Sequence, residues 1–307
     1  MTDDRRIAAV VVTYNRLALL QRLVPALGEV KGLDEVLVVD NHSSDGTAAW
    51  LREQAASSPV PVLTRTLPTN AGGAGGFHEG LRWAVERGAD LVWLMDDDGL
   101  PDPECLAALL EHEQDLDFWG PVVVDEADPD RLVFPIRLPG SARTVRRTAE
   151  AEAAAEDGLL RGIVIPFNGV LVTRDLVQRI GLPRAEFFIW GDDHEYRLRA
   201  ESAGARVATV VGARVLHPSV GNLGTPMAFG RTTYNDTPSD LKHYCMARNN
   251  LVNLRQYGGN LHALAFVAKT LWFYTFTRRD PARIRLSLEA WRAALKGDFT
   301  GHERYLA

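Results

Sequence analysis

Hydrophobic positions in the first third of the chain follow two alternating patterns. In the stretch Leu17–Gly28, apolar residues recur every three or four positions, which is typical of a helix that packs on one face. Short apolar runs rich in β-branched residues flank such stretches and predict buried strands; they occupy residues 7–13 and 36–39, the region near Val62, and residues 91–95. Strands that alternate with helices predict an α/β fold with a doubly wound, mostly parallel, right-handed sheet.

The middle of the chain is less regular. A glycine-rich turn is predicted at residues 70–76, ahead of the next helix. The pattern disappears between residues 125 and 160, where residues 143–157 are expected to form a variable insertion or an exposed helix. Strands are predicted again at residues 167–172 and 207–211, on either side of a helix that Gly204 ends.

The C-terminal part has a helical pattern, so we divide the chain into a domain over residues 1–239 and a helical region over residues 240–307. A first helix of this region is expected to end near Gly258. A second is predicted from an apolar face made of Ile284, Leu288, Trp291 and Leu295.

The composition is that of an ordinary globular protein and names no function. Of the 307 residues, 46% are hydrophobic and 24% charged, and the net charge of −6 argues against nucleic acid as a partner. Cys105 and Cys245 are far apart, which fits neither a disulfide framework nor a metal site and indicates the reducing cytosol. The polar first six residues do not resemble the start of a signal peptide.

The longest apolar stretch, residues 261–276, is interrupted by Lys269 and falls short of the roughly 20 residues that a membrane span needs. Aromatic residues at its end adjoin several arginines, a mixture that suits the interface of an anionic bilayer. Residues 261–285 are therefore a candidate for peripheral binding to the inner face of the plasma membrane. The alternative is that the aromatic residues pack against the preceding domain or another subunit of an oligomer.

The strongest local signal for chemistry is the acidic run Asp96, Asp97 and Asp98, which directly follows a predicted strand. Ligands of doubly wound sheets bind beyond the carboxyl ends of the strands. Adjacent carboxylates repel one another, and a divalent cation that bridges them to a diphosphate would relieve the repulsion. The alternative is a solvated turn whose aspartates cap a helix; at a strand end we favour the metal site.

Two further polar clusters follow predicted elements in the first third. Asp40 ends a strand and suits contact with a base or ribose, whereas Ser44 and Asp45 suit capping of the next helix. The glycines that follow Asn70 are typical of a phosphate-binding loop, or of a turn that packs a helix closely on the sheet.

The second half of the chain contributes three more candidates. Asp192 and Asp193 open a predicted helix, so one can cap it while the other, its pKa raised by its neighbour, acts as a general base. His217 ends an apolar run and is either a metal ligand or a buried histidine with ordinary hydrogen bonds.

In this order the motifs resemble glycosyltransferase family 2, and most closely the actinobacterial galactofuranosyltransferases that begin the cell-wall galactan. The matching segments cover roughly the first two thirds of the chain: Val-Val-Val-Thr-Tyr-Asn-Arg at 10–16, Val-Val-Asp-Asn at 38–41, the glycine run at 70–77, Trp-Leu-Met-Asp-Asp-Asp at 93–98, Phe-Asn-Gly at 167–169, Trp-Gly-Asp-Asp at 190–193 and Leu-His-Pro at 216–218. The resemblance implies a GT-A fold, with the nucleotide-sugar half at about residues 1–100 and the acceptor half at about residues 101–239.

The resemblance also implies roles for individual residues. Thr13, Arg16 and Asp40 would hold the uridine end of a UDP-sugar, and Asp193 would be the base beside Asp192. The metal, Mg²⁺ or Mn²⁺, would be ligated by Asp96, Asp98 and His217. Other implied substrate- and nucleotide-binding residues are Asn41, Asn70, Gly73, Asp96, Asp97, Asn168 and Trp190.

The expected function is inverting transfer of galactofuranose from UDP-galactofuranose to a polyprenyl-diphosphate-linked glycan. A relative that moves another sugar, such as rhamnose from a dTDP donor, would share the scaffold and the metal chemistry. A sugar-1-phosphate nucleotidyltransferase is less favoured, since no glycine-rich signature with Arg or Lys lies near the first strand. A non-catalytic sugar-binding protein is disfavoured because the candidate catalytic positions are all filled.

Overall fold

The computed structural model describes residues 5–221 and 224–306, so the first four residues of the polar N-terminal stretch lie outside the described residues. The strands are β1 Ile7–Thr13, β2 Glu35–Asp40, β3 Val62–Thr66, β4 Leu91–Asp96, β5 Leu100–Pro101, β6 Phe118–Asp125, β7 Asp128–Arg137, β8 Thr144–Arg147, β9 Leu159–Arg161, β10 Asn168–Thr173, β11 Val207–His217, β12 Thr225–Met227 and β13 Thr232–Tyr234. The α-helices are α1 Leu17–Gly28, α2 Thr47–Ser57, α3 Gly72–Glu86, α4 Cys105–Leu110, α5 Thr148–Glu152, α6 Arg174–Ile180, α7 Asp192–Ser202, α8 Asp240–Asn253, α9 Asn260–Trp272 and α10 Pro281–Lys296. Two π-helical turns, Leu254–Gly258 and Phe273–Thr277, extend α8 and α9.

The main sheet begins with four parallel strands and continues as a mixed sheet. Its order runs β3-β2-β1-β4-β10-β6-β11-β5, and the first three pairings are parallel. β10 is antiparallel to both of its neighbours, whereas β6 and β11 are parallel to each other. The predicted α/β fold with a mostly parallel sheet is confirmed, and the carboxyl ends of β1, β2 and β4 lie side by side at one edge.

Side chains of β1 alternate between two hydrophobic cores, one on each face of the sheet. Ala9 and Val11 join a core with the apolar residues of α1 and α4, while Val10 and Val12 join a core with α3, α6 and α7. A strand covered by helices on both faces has apolar residues at every position, which explains the unbroken run 7–13.

The structure corrects three details of the predicted elements. The region 125–160 contains strands β7, β8 and β9, and its helix α5 is only five residues long. The glycines expected in a turn belong to α3, which starts at Gly72. In α10 the expected apolar face is only partly buried, because Leu288 and Leu295 are exposed and Leu286 and Ala290 face the core instead.

The chain forms two compact units. One comprises Met1–Pro183 and Tyr196–Ser219, and the other comprises Arg184–Glu195 and Val220–Ala307. The first, N-terminal unit contains the main sheet. The second, C-terminal unit has its own cores, in which residues of α8, α9 and α10 pack together with the segment before α7. No helix among the described residues is long and apolar enough to cross a bilayer.

Candidate functional site

An acidic cluster lies where β4 ends, beside the end of β1. Thr13 Oγ1 donates to Asp97 Oδ2 at 2.7 Å within a buried setting. The Arg16 guanidinium spans two carboxylates, at 3.1 Å from Asp97 Oδ1 and 2.8 Å from Asp98 Oδ2. The structure therefore brings Thr13, Arg16, Asp97 and Asp98 into direct contact, as expected for adjacent parallel strands.

The pairing of β5 with β11 brings His217 to this cluster. Leu216 lies opposite Leu100 in an antiparallel register, so the next residue of β11 reaches the level of Gly99, directly after the acidic run. His217 Nε2 lies 3.3 Å from Asp98 Oδ1. The contact could not be anticipated from periodicity, because β5 is only two residues long.

Hydrogen bonding identifies the proton on His217. Its Nδ1 lies 2.7 Å from the carbonyl oxygen of Pro218, which can only accept, so Nδ1 carries a proton. Nε2 then presents either a second proton or a lone pair to Asp98. Burial disfavours the charged imidazole, but the hydrogen bond and charge of Asp98 outweigh it and raise the pKa of His217.

The carboxylates respond differently to the same surroundings. Burial raises the pKa of Asp97 despite the hydrogen bond from Thr13 and the charge of Arg16. Burial also disfavours ionised Asp98, yet His217 and Arg16 outweigh that effect and lower its pKa. Asp98 is thus the carboxylate that this cluster keeps ionised.

The cluster offers a divalent cation two suitable donors. Asp98 Oδ1 is buried and is one of them, and the imidazole Nε2 of His217, 3.3 Å away, is the other. No three His, Cys, Asp or Glu side chains within the described ranges are grouped so as to hold a metal ion by themselves. Carboxylate and imidazole fit Mg²⁺ or Mn²⁺ when diphosphate oxygens and water complete the coordination.

Asp96 and Asn168 flank the cluster on neighbouring strands. Asp96 is the last residue of β4, and its backbone N–H donates to Phe167 O at 3.1 Å. Asn168 begins β10 opposite Met95. Its Oδ1 is buried without a hydrogen-bond partner among the described residues, which leaves an unused acceptor next to the strand that ends in the acidic run.

A second polar group lies at the end of β2. Asp40 is fully buried, with Oδ1 accepting from Ser43 N at 2.9 Å and Oδ2 from Thr66 Oγ1 at 3.2 Å. Asn41 donates to Gly72 O at 3.0 Å and accepts from Ala71 N at 3.2 Å. These bonds hold the turn before α3 against β2.

The start of α3 combines an Asx turn with close packing. Asn70 Oδ1 accepts from Gly72 N, two residues further on, at 2.8 Å. A Cβ on Gly76 or Gly80 would lie 2.3 Å from a methyl group of β1, so both glycines let α3 approach the sheet. Gly73 has no atom within 4 Å of its missing Cβ and faces open space. Only the first glycines are therefore placed for a ligand at a helix N-terminus.

Asp192 and Asp193 belong to the C-terminal unit, where they begin α7. Asp192 is buried, and burial followed by the charge of Asp193 raises its pKa to about 8. Asp193 is half-buried and accepts a hydrogen bond from His194 N at 2.6 Å. Trp190, two residues before Asp192, is partly buried and packs against the core that contains Met227.

Comparison with known proteins decides the family. Residues 8–165 match the sequence profile described as "Glycosyl transferase family 2". The chain belongs to this family. It is also similar to the galactofuranosyltransferase GlfT1 of Mycolicibacterium smegmatis, with 33% identity over 93% of this chain and 95% of the relative, and to GlfT1 of Mycobacterium tuberculosis, with 35% identity over 92% of each.

Solved structures with low sequence identity share the fold of this family 2 glycosyltransferase. S. aureus TarS aligns with a TM-score of 0.54 at 17% identity, over 97% of this chain and 80% of the other. A mannosyltransferase from Pyrobaculum calidifontis, solved in complex with GDP-Man and Mn²⁺, aligns with a TM-score of 0.53 at 17% identity, over 99% and 79%. These likenesses confirm the GT-A fold.

Some contacts of the glycosyltransferase had no signal in its sequence. Thr66 on β3 donates to Asp40, although the sequence predicted no more than a strand near Val62. In the C-terminal unit, side chains of α8 bind the backbone before Asp192, and no motif drew attention to them. Side-chain bonds to backbone carbonyls leave no periodic pattern, so only the structure reveals them.

Proposed function

We propose that this glycosyltransferase transfers galactofuranose from UDP-galactofuranose to a polyprenyl-diphosphate-linked glycan, as a step of cell-wall galactan synthesis. The single observation that carries the proposal is the similarity to two galactofuranosyltransferases along nearly the whole chain, including the C-terminal unit. Family membership alone would leave the donor sugar open, since this chain is also similar to an undecaprenyl-phosphate mannosyltransferase of Micrococcus luteus, with 41% identity over 34% of this chain.

The donor is proposed to bind at the carboxyl ends of β1, β2 and β4. Thr13, Arg16 and Asp40 would hold the uridine end, with Asn41 and Asn70 shaping the turn beside it. Gly73 would approach the donor through its open face. Arg16 would turn from the carboxylates toward the nucleotide, which its half-exposed side chain allows.

Asp98 and His217, together with Asp96, are proposed to hold Mg²⁺ or Mn²⁺. When bound, the cation would act as a Lewis acid that stabilises negative charge on the departing UDP. His217 is oriented for this role by Pro218 O, which holds the proton on Nδ1 and leaves Nε2 toward Asp98. Asn168 and Asp97 would contact the substrate beside the metal ligands.

Asp193 is proposed as the general base. It would take the proton of the acceptor hydroxyl while that oxygen bonds to the anomeric carbon and the bond from that carbon to the UDP oxygen breaks, with inversion. Partly exposed Asp193 suits this role better than buried Asp192, whose pKa is raised by burial and by the charge of Asp193. Trp190 would line the part of the site that binds the acceptor glycan.

The test of this chemistry is UDP release from UDP-galactofuranose in the presence of a short lipid-linked rhamnosyl acceptor. Release should stop on chelation and return with Mn²⁺ or Mg²⁺. Asp193→Asn should lose transfer by at least about 100-fold while binding UDP normally, because only the base is removed. Normal turnover of Asp193→Asn would remove Asp193 from the role.

We also propose that the C-terminal unit binds an anionic membrane surface. α9 and its π-turn leave one apolar stripe exposed: Leu261, Leu264, Trp272 and Phe276 are 76%, 65%, 45% and 60% exposed. The exposed face of α10 carries Arg285 and Arg292, for which no carboxylate partner occurs among the described residues. Apolar and cationic side chains on one unit suit anionic lipid, where a lipid-linked acceptor is displayed.

A further inference from the structure

The segment before α7 has a strained backbone. Phe188 has φ 65° and ψ −61°, and Ile189 N donates to Phe187 O at 2.8 Å, which closes a γ-turn of the rare type with positive φ. Trp190 follows with φ 67° and Gly191 with φ 84°. Positive φ is unfavourable at the non-glycine residues Phe188 and Trp190 and persists only where the surroundings impose it.

Helix α8 supplies the groups that impose this backbone. Asn249 Nδ2 lies 3.0 Å from Phe187 O, 3.1 Å from Ile189 O and 2.7 Å from Trp190 O. One side-chain amide thus serves three carbonyls of the same strained turn. Asn249 is completely buried, so no water competes for these bonds.

The contacts continue along one face of α8 and the π-turn after it. Asn253, four residues after Asn249, donates to Gly191 O at 2.8 Å. Tyr257, four residues further, donates to Glu195 Oε1 at 2.6 Å in the first turn of α7. Residues spaced by four lie on one side of a helix, so a single face meets the segment 187–195 in order.

A buried arginine completes the arrangement from the other side. Arg248 donates to Phe187 O at 2.9 Å and to Phe299 O at 2.9 Å, and its Nε donates to Asn249 Oδ1 at 2.9 Å. The guanidinium therefore fixes the orientation of the Asn249 amide, whose two N–H groups are left for the carbonyls.

We propose that Asn249, supported by Arg248 and Asn253, is a positioning residue that sets the direction in which α7 starts and thereby places Asp193 for proton transfer. The residues named here all belong to the C-terminal unit. The inference rests on the proposed role of Asp193 as the base. It adds that the placement of this carboxylate depends on the side chains of two asparagines and one arginine.

The test compares Asn249→Ala and Asn249→Asp with Asn250→Ala in the full chain. Asn249→Asp keeps the shape of the side chain and the oxygen that accepts from Arg248, but it replaces the donating amide nitrogen with a second oxygen. Asn250 is the matched control, because it is the next residue of the same helix and its side chain lies near Gly191 without any of the described hydrogen bonds to the segment 187–195. Thermal unfolding selects conditions in which each variant is folded.

Two readouts separate positioning from a merely structural role. Both Asn249 variants should lower kcat about 10- to 100-fold with a donor KM within about threefold of the unchanged chain, because misplacing a catalytic group affects the chemical step. Amide hydrogen exchange of residues 187–195 should be faster in both variants and unchanged in Asn250→Ala.

Each outcome decides something different. Unchanged exchange in the Asn249 variants would overturn the contact scheme itself. Faster exchange with normal kcat in folded protein would overturn the positioning role. If the unchanged chain transfers no sugar from any donor, the proposed function fails, whereas exchange still tests whether Asn249 holds the segment.

Discussion

Asp98 is the carboxylate of the candidate site that contacts both Arg16 and His217. Its Oδ2 binds Arg16, whereas its buried Oδ1 faces His217 Nε2 at 3.3 Å. A cation bound to this oxygen and to Nε2 would replace the hydration that both groups lose on burial. This arrangement suits the metal ligation that is proposed for Asp98.

Asp98→Ala should weaken Mn²⁺ binding in the presence of UDP at least about 10-fold and lower kcat about 100-fold or more, because one of two converging donors is lost. Mn²⁺ binding is measured by electron paramagnetic resonance, independently of turnover. Asp130→Ala, at an exposed aspartate of β7, is the control. Equal Mn²⁺ affinity in Asp98→Ala and the unchanged chain would exclude Asp98 as a ligand.

Asp192 should make stability depend on pH. Its pKa is raised from 3.8 to about 8 in the folded chain, chiefly by burial, so between these pH values the folded state binds more protons than the unfolded state. The free energy of unfolding must then fall as pH rises, by at most about 1.4 kcal/mol per pH unit from this group. Asp192→Asn should flatten that fall in urea unfolding between pH 5 and 8, with Asp130→Asn as control. Identical pH dependence with and without Asp192 would show that its carboxyl is not held protonated.

At the scale of elements, α3 is close to the sheet because two of its glycines face β1. Gly76 and Gly80 would each place a Cβ 2.3 Å from a valine methyl group, whereas Gly73 faces open space. One helix therefore uses its glycines for two purposes: close packing on the sheet, and an uncovered N-terminus that a donor phosphate could approach.

Substituting two of these glycines should have opposite effects on stability. Gly80→Ala should destabilise the fold by about 1–3 kcal/mol, because the added methyl group overpacks against Val10. Gly73→Ala should stabilise it by up to about 1 kcal/mol, since alanine favours the helix, but should raise the donor KM if the donor approaches there. Urea unfolding of both variants measures the change in stability, and steady-state kinetics with varied donor concentration measures the donor KM. A destabilised Gly73→Ala with unchanged KM would contradict the assignment.

The predictability of the elements follows from how each one is buried. The run 7–13 and the helical spacing after Leu17 predict β1 and α1 correctly because β1 is buried on both faces and α1 buries one apolar face. The sequence did not predict β7 and β8, because arginines interrupt the alternation of apolar and polar residues in them. It did not predict β5, because a strand of two residues is too short to show a periodic pattern. The motifs identify candidate site residues, but which of them touch is decided by strand register.

At the scale of the whole molecule, the similarity to relatives extends beyond the residues that the family profile matches. The family profile ends at residue 165, yet the galactofuranosyltransferase relatives match more than nine tenths of the chain. The C-terminal unit is thus part of what these proteins share. Its proposed contributions are the base Asp193, the α8 side chains that hold it, and an exposed lipid-facing stripe on α9.

Flotation with vesicles tests the lipid-facing stripe. The full chain should bind vesicles that contain anionic phospholipid and bind neutral vesicles more weakly, because both burial of apolar side chains and attraction of arginines contribute. The double variant Leu264→Glu with Trp272→Glu should reduce binding at least about 10-fold. Phe229→Glu, at a fully exposed aromatic residue outside α9, is the control. Failure of the unchanged chain to bind anionic vesicles would contradict the membrane proposal.

The most direct test of the central claim is a donor comparison with one lipid-linked rhamnosyl acceptor and Mn²⁺, in which the product is identified by mass spectrometry. UDP-galactofuranose, UDP-galactopyranose and dTDP-rhamnose are supplied separately at equal concentration. The account predicts a product that is one or more hexoses heavier with the furanose donor and none with the other two. A product from dTDP-rhamnose, or from the pyranose donor alone, would leave the family assignment standing and contradict galactofuranose transfer.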